Sequence, residues 1–239
     1  MSFYHHEMGG AACPIFPKKG PRAVILCDGP PPAPGVLEYW LAGADLFICT
    51  DAAGHPYDQL AAVPDVVIGD FDSLTGRVLD GRDGPMFLRL DEQETTDSEK
   101  ALLYAMDEGM EEVVLVGAVG WRLDHTLYNT FLMERYSDRL RLALAAQQAD
   151  GVRLAPGKSV SWPLDPGTRF SLIALAGESR GVTVEGAEFP LLSGDVGSSG
   201  PACISNVVAY DPLLIRAGDG PLLVLVDREG PETERRYGD

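Results

Sequence analysis

Short apolar runs, most of them closed by an acid or a glycine, recur along the first 146 residues, and helical patterns lie between them. AVILCDG (23–29), DLFICTD (45–51), DVVIGDFD (65–72), MFLRL (86–90), VVLVGAVG (113–120) and LRLALAA (140–146) read as strands. Leu37, Trp40 and Leu41 mark a first helix, TTDSEKALLYAMDEG a second and WRLDHTLYNTFLMERY a third. Strand alternating with helix predicts a mainly parallel sheet with helices on its faces. In the second helix Thr96 is placed to cap, with Glu99 returning as the partner of a capping box and Gly109 as the stop. In the third, Leu123, Leu127 and Phe131 form one apolar stripe at four-residue spacing.

The texture changes after about residue 150. SVSWPL, RFSLIALA, VTVEGAEFPL, VVAYDPLLIRAG and PLLVLVD are strand-like pieces divided by Gly, Pro and Asp. They predict an antiparallel all-β domain, a sandwich or a barrel, and the sandwich is the expected form. The expected organisation is an N-terminal extension over 1–21, an α/β domain over 22–150 and a C-terminal β domain over 151–239. The net charge of −17 argues against a non-specific nucleic-acid binder, which needs a basic face. It is compatible with phosphate-bearing small molecules, because Mg²⁺ bridges carboxylates to phosphates. Cys13, Cys27, Cys49 and Cys203 form no C-x-x-C pair, so zinc and a disulfide framework are not expected, and Cys27 and Cys49 read as buried thiols. No stretch has the pattern of a signal peptide or the apolar length of a membrane span, so a cytoplasmic protein is expected.

Alternation along an extended chain puts Asp70 and Asp72 on one side, with Phe71 turned away into packing. In an open parallel sheet that side lies beyond the carboxyl ends of the strands, where Asp28 and Asp51 also fall. Gathered carboxylates repel unless they share a cation, and oxygen-only ligands favour Mg²⁺. The start of the second helix is an anion seat, and Lys100 in its first turn gains from an anion nearby. GAVGWRLDH adds two glycines at a strand-to-helix turn, then Arg122, whose fork suits phosphate oxygens. Taken alone, Arg122 pairs equally well with Asp124 at the surface.

Together, GDFDS (69–73), EQETTD (92–97) and GAVGWRLDH (117–125) resemble the ordered motifs of the thiamine pyrophosphokinase family. Asn129, GAEFPL and CISN (203–206) extend the resemblance, which runs from about Ala23 to Asp227. It implies an ATP-dependent pyrophosphoryl transfer to the hydroxyl of thiamine, leaving AMP, by a homodimer that holds thiamine between subunits. It further implies Mg²⁺ on Asp70, Asp72 and Asp97, and ATP contacts from Asp51, Gln93, Thr96, Lys100, Arg122 and His125. Asp97, Asp124 and Arg122 would serve catalysis, with either acid as proton acceptor, and Ser205 and Asn206 would bind thiamine. The chain departs from the family pattern at DAAGH (51–55), at Glu92 and Glu94, at Trp121 and at Cys203. The alternatives are the same transfer to a hydroxymethylpterin, a metal-dependent nucleotide-sugar transferase built on D-x-D, and a non-catalytic thiamine binder.

Overall fold

The computed structural model describes residues 13–54, 60–71 and 84–228, which fall into two units that divide near Gln148. The first unit is built on strands β1 (Arg22–Leu26), β2 (Leu46–Thr50), β3 (Val66–Gly69), β4 (Met86–Arg89), β5 (Glu112–Val116) and β6 (Arg141–Ala145). They lie in the order β6-β5-β1-β2-β3-β4, and every pairing is parallel. β1, β3 and β5 are buried along their whole length, the mark of strands covered on both faces. The chain grows from β1 to one side through β2, β3 and β4, then returns to the other side with β5 and β6. This leaves a crevice beyond the carboxyl ends of β1 and β5, where open α/β sheets bind ligands.

Three helices accompany the sheet: α1 (Val36–Leu41), α2 (Asp97–Asp107) and α3 (Leu123–Arg135). Thr96 caps α2 as its sequence predicts, its side chain accepting the Glu99 N–H. The helix ends at Gly109, whose N–H donates to the Met106 carbonyl while Met110 N–H reaches Ala105. The capping box is only half formed, because the Glu99 side chain is fully buried and engaged with α3 instead.

The expected apolar stripe of α3 does not face the core. Leu123, Leu127 and Phe131 are 73%, 50% and 57% exposed, and the buried residues of the helix are Asn129, Leu132 and Met133. Four-residue spacing identifies a helix face but not what covers it.

Residues 13–21, expected as part of an extension, are also partly built into the fold, since Cys13, Ile15 and Phe16 are buried. The reason is Arg22, which enters the core at the start of β1. Its guanidinium donates to Glu112 at 2.8 Å and to the Phe16 carbonyl at 2.9 Å, and lies over the rings of Phe16 and Trp40. A buried guanidinium requires such partners: β5 supplies Glu112, α1 supplies Trp40, and the preceding segment supplies Phe16.

The second unit contains β7 (Ala149–Leu154), β8 (Ser159–Trp162), β9 (Arg169–Ala174), β10 (Glu178–Glu185) and β11 (Leu191–Gly197), followed by β12 (Asn206–Val207), β13 (Leu213–Arg216) and β14 (Leu222–Asp227). β12-β9-β14-β7 and β11-β10-β13-β8 form two sets of antiparallel neighbours. β13 shows why: Leu213 and Ile215 are buried while Leu214 and Arg216 are exposed, the period of a half-buried strand. β7 begins inside the stretch assigned from sequence to the α/β domain, so the division falls slightly earlier than residue 150. No helix among the described residues is long and apolar enough to cross a membrane.

Candidate active site

A cleft of about 240 Å³ opens at the β1/β5 crevice of the first unit. Its floor is the chain leaving four strands: Cys27 and Asp28 after β1, Thr50 and Asp51 at β2, Asp70 after β3, and Gly117 to Arg122 after β5. Asp97 and Ser98 from α2, and His125 and Asn129 from α3, complete the wall.

Asp51 is the most constrained of the acids. It opens a 3₁₀ turn (Asp51–Gly54) and is 6% exposed. Its Oδ2 accepts the Phe71 N–H at 3.1 Å, whereas its Oδ1 has no hydrogen-bond partner among the described residues. Burial pushes its carboxyl above the ordinary range, and Asp97, Asp70 and Asp28 add repulsion, Asp97 most. Asp51 also explains the glycine of GDFDS: a Cβ on Gly69 would stand 2.5 Å from the Asp51 Cβ.

β3 ends at Gly69, and Phe71 takes a left-handed conformation (φ 59°). Simple alternation therefore does not carry through DFD. Phe71 packs edge-on against Phe87, as expected of a side chain turned away from the acids. Asp72 lies outside the described residues.

On the opposite wall, the glycine loop is fixed by side chains of α3. Asn129 Nδ2 donates to the Ala118 carbonyl at 2.7 Å, and Gly120 N–H donates to Thr126 Oγ1 at 2.9 Å. Gly120 has φ 123°, and a Cβ there would meet the Pro30 ring at 2.3 Å. Cys27 backs this wall as a neutral thiol: burial pushes it up to about 12, and Ser98 Oγ lies 3.4 Å from its sulfur. Cys49 is likewise buried and raised.

A family profile described as thiamin pyrophosphokinase, catalytic domain, matches residues 37–144. Thiamine pyrophosphokinase 1 of Arabidopsis thaliana is 27% identical over 209 residues, covering 75% of this chain and 77% of its own. The Bacillus subtilis thiamine pyrophosphokinase is 23% identical over 168 residues, covering 68% and 78%. The crystal structure of the Bacillus subtilis enzyme superposes with a TM-score of 0.74 at 21% identity, covering 87% of this chain and 99% of that one. Yeast thiamin pyrophosphokinase gives 0.74 at 15% identity, covering 88% and 87%. The chain is thus similar to thiamine pyrophosphokinases in sequence and in fold.

Of the residues that the family motifs single out, Asp51, Asp70, Asp97, Arg122 and His125 meet in the one cleft. Gln93, Thr96, Lys100 and Asp124 do not line it. Gln93 is exposed on the turn before α2, where Glu92 accepts the N–H groups of Glu94 and Thr95, so the two glutamates sit in a solvent-facing turn. The Thr96 hydroxyl is occupied as the cap. Lys100 is buried and donates to Asp97 Oδ1 at 3.1 Å, so the anion favouring a cation in this first turn is Asp97 itself. Asp124 is exposed and held by the Arg122 fork at 2.7 and 3.2 Å; that bond, and the His125 N–H, hold its carboxyl down at about 2.

In the second unit, Ser205 is left-handed (φ 58°), and its N–H donates to Ser171 Oγ. The Asn206 amide is engaged by backbone, accepting from the N–H groups of Phe189 and Val207 and donating one N–H to the Phe189 carbonyl. Asn206 thus fixes Phe189 of GAEFPL beside CISN. Ser98 and Cys27 were not singled out from sequence as site residues, and only the fold brings them to the cleft. Among the described residues no three His, Cys, Asp or Glu side chains form a metal cage by themselves. An acid-lined cleft with an orphaned carboxylate oxygen nevertheless fits Mg²⁺, which is usually held by one or two carboxylates together with substrate phosphates.

Proposed function

We propose that the protein transfers the pyrophosphoryl group of ATP to the hydroxyl of thiamine, forming thiamine diphosphate and AMP. The observation that carries this is the buried Asp51 Oδ1, unpaired among the described residues, beside other acids at the switch point of a parallel sheet, in a chain similar to thiamine pyrophosphokinases. Asp51, Asp70 and Asp97, with Asp72 beside them in sequence, would hold Mg²⁺ on the triphosphate. When bound, Mg²⁺ neutralises phosphate charge and orients the β-phosphorus for in-line attack.

The chain's own groups do the rest. Arg122 and His125 present donors at the cleft wall to phosphate oxygens, and Arg122 can exchange Asp124 for a phosphate because both ends of that pair are exposed. The first turn of α2 is the expected seat of the Gln93, Thr96 and Lys100 contacts; in this structure Thr96 and Lys100 hold that turn and Asp97 in place. Asp97 is the better-placed acceptor for the thiamine hydroxyl proton, because it lines the cleft whereas Asp124 is tied to Arg122 and weakly basic.

The same reading takes the two antiparallel sheets as one sandwich that provides thiamine contacts from Ser205 and Asn206 and a surface for dimerisation. The exposed stripe of α3, with Trp121 at 73%, supports a homodimer, since contiguous apolar surface of this kind marks interfaces. A cytoplasmic location belongs to the same reading, and cell fractionation checks it.

The test is direct. Purified protein with Mg²⁺-ATP should convert thiamine to thiamine diphosphate with one AMP released per product. A hydroxymethylpterin and a nucleotide sugar offered in parallel should give no product. Absence of AMP with thiamine, or preference for either rival substrate, would overturn the assignment.

A further inference from the structure

Glu99 lies two residues beyond Asp97 on α2, and its carboxylate is fully buried. Both oxygens are gripped by α3: Tyr136 Oη donates to Oε1 at 2.6 Å, Tyr128 Oη donates to Oε2 at 2.6 Å, and the Arg135 guanidinium stands 3.1 Å from Oε1. Hydrogen bonds of this length to a carboxylate are among the stronger and more directional kinds. A buried charge is nonetheless a poor device for stability, because apolar residues of similar volume pack two helices as well. What the cluster supplies is a fixed register. The first turn of α2 gives Asp97 and Ser98 to the cleft, and the N-terminal half of α3, with its cap, gives Arg122, His125 and Asn129. Tyr128 sits further along the same α3 and Tyr136 is its C-terminal cap residue, so one helix with its two caps carries both the clamp and the phosphate-side donors.

We propose that Glu99 is a positioning residue, whose clamp on Tyr128 and Tyr136 holds the first turn of α2 in the register that lets Asp97, Arg122 and His125 act on one Mg²⁺-nucleotide. The inference rests on the reading of the cleft as the ATP site. Misplacement of a binding group by about 1 Å is enough to weaken ligand binding and turnover severely. Because Asp97, Arg122 and His125 are the groups assigned to the nucleotide, loss of the clamp is read first in nucleotide binding.

Glu99→Gln keeps the volume but replaces one acceptor oxygen with a donor, and Tyr136→Phe and Tyr128→Phe remove the donors one at a time. The measurements are kcat, KM for Mg²⁺-ATP, KM for thiamine, calorimetric binding of a non-hydrolysable ATP analogue with Mg²⁺, and Tm. Glu99→Gln and Tyr136→Phe should each raise KM for Mg²⁺-ATP and weaken analogue binding about tenfold, with KM for thiamine changed less than about twofold. The Glu99→Gln/Tyr136→Phe pair should be no worse than the worse single variant, because both cut one link. A lower Tm with unchanged analogue affinity would make the cluster merely structural and overturn the inference. If Glu99→Gln does not fold, unchanged analogue binding in both tyrosine variants overturns it equally. A parent that binds the analogue but makes no thiamine diphosphate would sink the proposed reaction and leave the analogue comparison to decide on Glu99. A parent that does not bind the analogue overturns both.

Discussion

Asp51→Asn should make the ligand-free protein more stable while abolishing its response to Mg²⁺-ATP. In the parent, Oδ2 is paired with the Phe71 N–H, but Oδ1 is buried with no partner among the described residues, and Asp97, Asp70 and Asp28 all repel its charge. An asparagine keeps the acceptor for Phe71, removes the charge, and presents an NH₂ to acids that accept hydrogen bonds. A buried unpaired polar group costs about 1–3 kcal/mol, and part of that remains in the variant, so the expected gain is about 1 kcal/mol. For a chain of this size that is a rise in Tm of about 2–4 °C.

The sign with pH follows from the direction of the shift. The folded-state pKa of Asp51 is raised, so its contribution is intact below the unfolded value of about 3.9 and is lost as pH rises through the folded value. The gap between variant and parent should therefore be near zero in acid and widen toward neutrality. Ligand at about a hundred times its Kd should add about 2.7 kcal/mol to the parent, a shift of about 5–10 °C, and far less to the variant. Thermal melts of both proteins across pH, with and without Mg²⁺-ATP, make the test. A variant that is less stable without ligand, or that keeps the parent's ligand shift, would refute the reasoning.

Gly69→Ala places a Cβ 2.5 Å from Asp51 and should cost about 1–3 kcal/mol, visible as a lower denaturation midpoint, together with loss of turnover; an unchanged midpoint would deny the close approach. Asn129→Ala leaves the Ala118 carbonyl without its donor and should destabilise by about 1–3 kcal/mol in urea titration, with a weaker grip on nucleotide because the glycine loop is freed. Leu127→Glu combined with Phe131→Glu should leave the fold intact, since both are exposed, and convert a dimer to a monomer by light scattering; a parent that is already monomeric would remove the homodimer.

Much of this was legible in the sequence because it is local. Runs such as AVILC and EVVLV have one stable use, as buried parallel strands, and β13 shows the two-residue period of a half-buried sheet. Thr96 and Gly109 announce the ends of α2 through their own chemistry. The acids at strand ends, with Arg122 and His125 after the glycines, were legible because a parallel sheet sends all its carboxyl ends to one edge.

What the tertiary structure alone decided is which partner each side chain takes. Glu99 had a local use as the returning half of a capping box, and only the approach of Tyr128 and Tyr136, 29 and 37 residues away, drew it from the cap into the core. The stripe of α3 had the right spacing to be buried, yet a period cannot name the surface opposite, and the fold turned Leu132 and Met133 inward instead. Arg22 brought Phe16 and its neighbours into a core that their own composition does not require. Asp51 is the same case at the site: an acid after a strand is ordinary, but burial beside three other acids makes its free oxygen a demand for a cation. Periodicity and end signals are properties of a segment, whereas burial, pairing and charge repulsion belong to contacts that exist only once the segments meet.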